Sequence, residues 1–145
     1  MYKHILIATD GSELAAKAVD AGLKLAKALN ANATAVTVTE PWVAYVTPEA
    51  AIAFPFDEYE KSAAESARRT LATVDDAAKK IAVNCGTIHV KDQYPADGIL
   101  DTAKSQGCDL IVMASHGRRG LGRLLLGSAA ANVVTHSTVP VLVCR

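Results

Sequence analysis

His4-Ile-Leu-Ile-Ala-Thr-Asp-Gly-Ser12 is the stretch on which the fold turns. A short apolar run over residues 4–8 gives way to a Thr-Asp-Gly turn, and Ser12 then stands where it can N-cap a helix. A strand without polar alternation is buried on both faces, as in a parallel sheet covered by helices. The helix that follows carries Leu14, Ala18, Ala21, Leu25 and Ala28 as one stripe. Ala15, Val19, Gly22 and Ala26 widen it, and it ends near Asn30.

The same unit recurs along the chain. Residues 33–39 alternate small apolar side chains with Thr and read as a second strand. Residues 57–84 form a long helix in which Tyr59, Ala63, Ala67, Leu71, Val74, Ala78 and Ile81 step by four or three. A third strand spans 87–90. A helix spans 95–106, with Gly107 at the C′ position beyond it. Residues 108–114 form a fourth strand, 128–137 a helix and 139–144 a fifth strand. Such alternation means crossover connections, a parallel sheet and helices on both faces. No repeat, low-complexity linker or domain boundary interrupts residues 1–145.

Between the second strand and the long helix runs a connection over 40–56, broken by Pro41, Pro48 and Pro55 and rich in aromatic residues. A connection of this length is often functional; it is placed to cover a site or to meet a partner.

Composition narrows the function. Lys and Arg together number 15, as do Asp and Glu, so the net charge is zero. This argues against bulk attraction to nucleic acid or an anionic membrane, and zero net charge also favours self-association. Cys85, Cys108 and Cys144 are odd in number and widely spaced. They read as small hydrophobes in a reducing compartment rather than as a disulfide framework or zinc site. No signal-peptide pattern or membrane-spanning stretch is evident, and a cytoplasmic protein is expected.

In an open parallel sheet, ligands bind beyond the carboxyl ends of the strands. Two strand ends carry suitable turns, 9–12 and 115–120. From Ser115 to Arg145 there is no Asp or Glu, while Arg118, Arg119, Arg123 and Arg145 are present. Gly117, Gly120, Gly122 and Gly127 allow close backbone approach, and Ser128 opens a helix whose first N–H groups attract anions. Asp10 and Glu13 flank the first helix instead, so phosphates belong at 127–129 and Asp10 on the facing wall. There Asp10 is either an Asx turn former or a ligand to base, ribose or Mg²⁺. His116 is a candidate base, but nothing nearby in sequence orients it, and a loop histidine bonded to backbone is the commoner arrangement.

At these residues the chain resembles the universal stress protein family. Ala114-Ser-His-Gly117, nine residues, then Gly127-Ser128 is similar to its nucleotide loop: Gly, two residues, Gly, nine residues, Gly-Ser. The opening 4–12 and the closing 139–144 are similar to its first and last strands. The resemblance implies an open five-stranded parallel sheet of order 3-2-1-4-5, of the Rossmann-like, adenine nucleotide alpha hydrolase-like kind. It implies binding of ATP or another adenine nucleotide, with Mg²⁺. Ala8, Thr9 and Asp10 would line the base and ribose end, with Val38 against the base and Met113 also in contact with the nucleotide. Ala114, Ser115, His116, Gly117, Arg118, Arg119 and Gly120 would wrap ribose and phosphates, and Gly127, Ser128 and Ala129 would hold phosphates.

The expected role is a regulatory, stress-response protein, not an enzyme beyond slow hydrolysis, since the P-loop lysine motif is missing. An interaction protein of the same family that binds no nucleotide is the alternative. The protein is expected to act with an unidentified protein partner and to pair with its own copy through Val139, Val141 and Val143 on the last strand, whose two faces are apolar and which would lie at a sheet edge. The connection over 40–56 folded across that edge is the competing arrangement. Ala114 stands at the family's first glycine. An extended backbone tolerates its methyl, whereas a positive φ there would cost about 1 kcal/mol or more.

Overall fold

The computed structural model describes residues 1–117 and 125–145. Its elements are β1 (His4–Ala8), α1 (Glu13–Leu29), β2 (Asn32–Val38), a 3₁₀ turn (Trp42–Ala44), α2 (Ala50–Ala53), α3 (Phe56–Lys80), β3 (Cys85–Val90), α4 (Pro95–Ser105), β4 (Leu110–Ala114), α5 (Ser128–His136) and β5 (Val141–Cys144). The five strands are parallel in the order β3-β2-β1-β4-β5. β1 is central, with Ile5 level with Ala33 on one side and Leu110 on the other. Its Ile5, Leu6 and Ile7 are fully buried, each worth roughly 1.5–3 kcal/mol in removal from water.

The sheet divides the interior into two layers. Ile5, Ile7, Val112 and Ala114 pack with α1 and α3. Leu6, Ile111 and Met113 pack with α4 and α5. This alternation follows from the period of two along a strand.

α1 starts where Ser12 accepts the Ala15 N–H at 3.2 Å, as expected, and closes on Asn30 in the left-handed region (φ 52°). Its buried face is Ala15, Ala18, Val19, Gly22, Leu23 and Ala26. The row expected only to widen the stripe is therefore its centre, while Leu14 and Leu25 pack at its flanks. Small residues bring the helix close to the sheet: a Cβ on Gly22 would stand 2.8 Å from Ile7.

Other ends shift from the sequence reading. α3 stops at Lys80 rather than at 84, because the chain turns through Ala82 at φ 56°. β4 and β5 begin at Leu110 and Val141, two residues later than expected in each case. The connection over 40–56 holds the short turn and α2 rather than irregular chain alone. Among the described residues, no helix is long and apolar enough to cross a membrane.

Gly22→Val should lower stability by about 2 kcal/mol through overpacking against Ile7 and Val112. The urea midpoint measures it; an unchanged midpoint would mean that α1 is free to lift away from the sheet.

Candidate functional site

The polar turns after β1 and β4 open on one crevice of about 890 Å³ at the carboxyl edge of the sheet. Ala8, Thr9, Asp10, Val38, Met113, Ala114, Ser115, His116, Gly117, Gly127, Ser128 and Ala129 all line it. Arg118, Arg119 and Gly120 lie outside the described residues.

The first wall is a fixed turn. Thr9 is buried and its N–H donates to the Val36 carbonyl at 3.0 Å. Gly11, at φ 81°, lets the chain reverse, and the Ser12 N–H donates to Asp10 Oδ1 at 2.9 Å. Asp10 is thus a turn former, and it also reaches across the crevice. A Cβ added to Gly117 would lie 2.8 Å from Asp10 Oδ2, so a side chain at 117 would displace that carboxylate.

The second wall is pinned through backbone. Ser115 N–H donates to the Cys144 carbonyl at 2.7 Å, and Gly127 N–H donates to the Ser115 carbonyl at 2.8 Å. These bonds set the start of α5 against the ends of β4 and β5. Gly127 is the N-cap of α5, where no side-chain cap bond is made, and Ser128 is the first helical residue, not the cap. The α5 N-terminus is therefore uncapped by side chain and has no acid in its first turn. In α1, by contrast, Ser12 caps and Glu13 lies in the first turn. A Cβ on Gly127 would stand 3.1 Å from the Ser115 carbonyl oxygen. The first-turn N–H groups of α5, uncapped by side chain among the described residues, and two glycines at the crevice wall suit an anion.

His116 departs from the sequence reading. Its Nδ1 lies 3.0 Å from Ser115 Oγ, so the neighbouring side chain orients the ring, while its Nε2 is buried without a hydrogen-bond partner. Among the described residues no group of three His, Cys, Asp or Glu is placed to hold a metal ion.

Sequence reasoning named no residue of the connection over 40–56 or of α3 as part of the site, yet Glu40, Tyr45, Phe54, Tyr59, Ser62, Ser66 and Thr70 also line the crevice. The density of aromatic residues over 42–59 was the available signal. Tyr59 donates to the Glu40 carbonyl at 2.6 Å. Burial, with Tyr45 and Glu40 nearby, holds its hydroxyl above the usual pKa range, hence protonated. The cysteines take no part in the lining. Cys108 is buried, and desolvation, with Asp109 beside it, pushes its thiol to about 11.

Ala114 lies in β4, level with Cys144, and is not among the residues of positive φ. Its methyl is buried with the α1 layer of the core. β5 is an edge strand whose Val141 half-packs on the core, while Leu142 is exposed. Val139 precedes the strand, and Val143 lies within it. The 3₁₀ turn of the connection packs against α3, which covers β2 and β3; the described connection does not cross the β5 edge.

Residues 1–145 match the universal stress protein family. Universal stress protein YxiE of Bacillus subtilis is 33% identical over the full length of both chains. The hypothetical protein MJ0577, of Methanocaldococcus jannaschii, superposes with a TM-score of 0.78 at 30% identity, covering 99% of this chain and 96% of its own. A universal stress protein solved in complex with cAMP superposes with a TM-score of 0.70 at 26% identity, covering 99% and 97%. The chain belongs to the universal stress protein family.

Because Ala114 is extended and packed, Ala114→Gly should destabilise the protein by about 1 kcal/mol through chain entropy and lost contact. Thermal unfolding would reveal it. A gain in stability would mean that residue 114 is strained by its methyl.

Proposed function

We propose that this protein binds an adenine nucleotide, ATP foremost, and acts as a regulatory protein rather than as a fast enzyme. The observation that carries the reading is the α5 N-terminus, uncapped by side chain and pinned beside Gly117 in the crevice that Val38 and Ala8 also line. Phosphates are attracted to the α5 N–H groups and repelled from α1 by Asp10 and Glu13. The base lies towards Val38 and Met113. Asp10 would be the residue to hold Mg²⁺, which would supply positive charge to the phosphates, one or two carboxylates being usual for that ion on a nucleotide. The cAMP held by a related protein supports a nucleotide of this class. The alternative, a family member without nucleotide, drew on Ala114; its φ is not positive, which speaks against backbone strain there, while its methyl still lines the crevice.

ATP should bind with micromolar-scale affinity. Gly117→Val should abolish binding, because its side chain meets Asp10 and fills the phosphate space. Ser128→Ala should cost about 1 kcal/mol, one hydrogen bond. Calorimetry reads both, and undiminished binding in Gly117→Val would sink the cradle.

The protein also acts, on this reading, as a cytoplasmic homodimer joined along β5 that passes its state to a protein partner. An edge strand with half-exposed apolar residues invites pairing with its own copy about a two-fold axis. Pro140 has no N–H to lose, and its carbonyl already accepts from Ile111 within the sheet. Val141→Lys should convert dimer to monomer in light scattering at micromolar concentration. A monomeric unmodified protein, or a dimeric Lys variant, would rule out pairing along this edge.

A further inference from the structure

The segments that carry the family likeness form one part of the crevice wall; another part comes from the connection over 40–55 and from α3. We propose that Tyr45 and Phe54 are a stacking wall for the ligand's base, with the hydroxyls of Ser62, Ser66 and Thr70 along its polar edge. This deepens the nucleotide reading above and rests on it.

Three aromatic rings line the crevice as one cluster. Tyr45 and Tyr59 have centroids 5.9 Å apart at 40°, and Phe54 meets Tyr59 at 5.9 Å and 82°. The bond from the Tyr59 hydroxyl to the Glu40 carbonyl fixes the central ring. The two outer rings keep accessible surface, Tyr45 at 47% and Phe54 at 39% exposure. Rings held in place with accessible surface are what a planar base needs, since stacking then costs little further ordering.

The hydroxyls beside them are open to a ligand too. Thr73, Thr102 and Thr135 bond back to carbonyls one turn earlier in their own helices. Ser62, Ser66 and Thr70, spaced by one turn on α3, make no hydrogen bond among the described residues, yet all three line the crevice. Asp10 and Glu40 are the acids among the described lining residues, which include no Lys or Arg; Arg118, Arg119 and Arg123 lie outside the described residues. Glu40 makes this end hostile to phosphate. A neutral planar group with polar edges fits it, so the nucleotide is oriented base towards the connection and phosphate towards α5.

The chain supplies its own reporter. Trp42 is the single tryptophan; its Nε1 donates to the Phe54 carbonyl at 3.1 Å, and its ring stands 6.0 Å from that of Phe56. ATP should change Trp42 emission, while inorganic tripolyphosphate should compete with ATP without changing it. The double variant Tyr45→Ala with Phe54→Ala should lose about tenfold in ATP affinity by calorimetry and keep its affinity for tripolyphosphate. Tyr45→Phe with Phe54→Tyr should restore ATP binding. Unchanged ATP affinity in the double Ala variant, or equal loss for both probes, overturns the stacking wall while leaving the phosphate cradle in place. A wild-type chain that binds neither probe overturns the nucleotide reading and this inference together.

Discussion

The candidate site depends on one short contact, the hydrogen bond from Gly127 N–H to the Ser115 carbonyl at 2.8 Å. It closes the segment between the two residues, so that α5 begins against the end of β4. It is a backbone bond, and glycine eases the approach: a Cβ at 127 would stand 3.1 Å from the accepting oxygen and 3.4 Å from His116 Cα, so these neighbours would have to give way slightly. Ser115 is itself held by Cys144 across the sheet. A chain of backbone bonds therefore runs from the β5 edge to the helix terminus, and the site inherits the rigidity of the sheet rather than the freedom of a loop.

The parallel sheet with helices on both faces was legible because alternation of apolar runs with amphipathic helices leaves few topologies, while the strand order came from the family resemblance. Positions within helices were less so. In α1 the large Leu14 and Leu25 suggested the stripe, but a helix lying close across a sheet puts its small residues at the centre, where Gly22 nearly touches Ile7. The end of α3 was overrun because Ala82, rather than Gly or Asn, takes the left-handed conformation, and alanine gives no warning of a turn.

Within the site, residues that act through backbone or local turns could be read from spacing, as at Gly117, Gly127 and Asp10. Residues that arrive from elsewhere could not. Tyr45, Phe54 and Ser66 reach the crevice only because α3 packs over β2 and β3, and no local period encodes that. His116 is an intermediate case. Its partner is the adjacent Ser115, but a neighbour in sequence orients a ring only if the backbone turns to let it.

The two helix termini at the crevice show how one sheet edge separates charges. In α1, Ser12 meets the Ala15 N–H, with Asp10 bonded just before it and Glu13 in the first turn. Its partial positive charge is already offset, and it contributes stability alone. α5 takes glycine at the cap position, which forgoes only a few tenths of a kcal/mol relative to a capping hydroxyl. Among the described residues no side chain caps its N–H groups, and each bond they made to a charged oxygen would contribute about 1.5–3 kcal/mol. The loss is small because helix stability in a packed domain comes mainly from the buried face, here Ala130 and Val133. On the proposed reading, stability and binding would fall to different helices, and an anionic ligand would lie across the crevice with its charge towards α5.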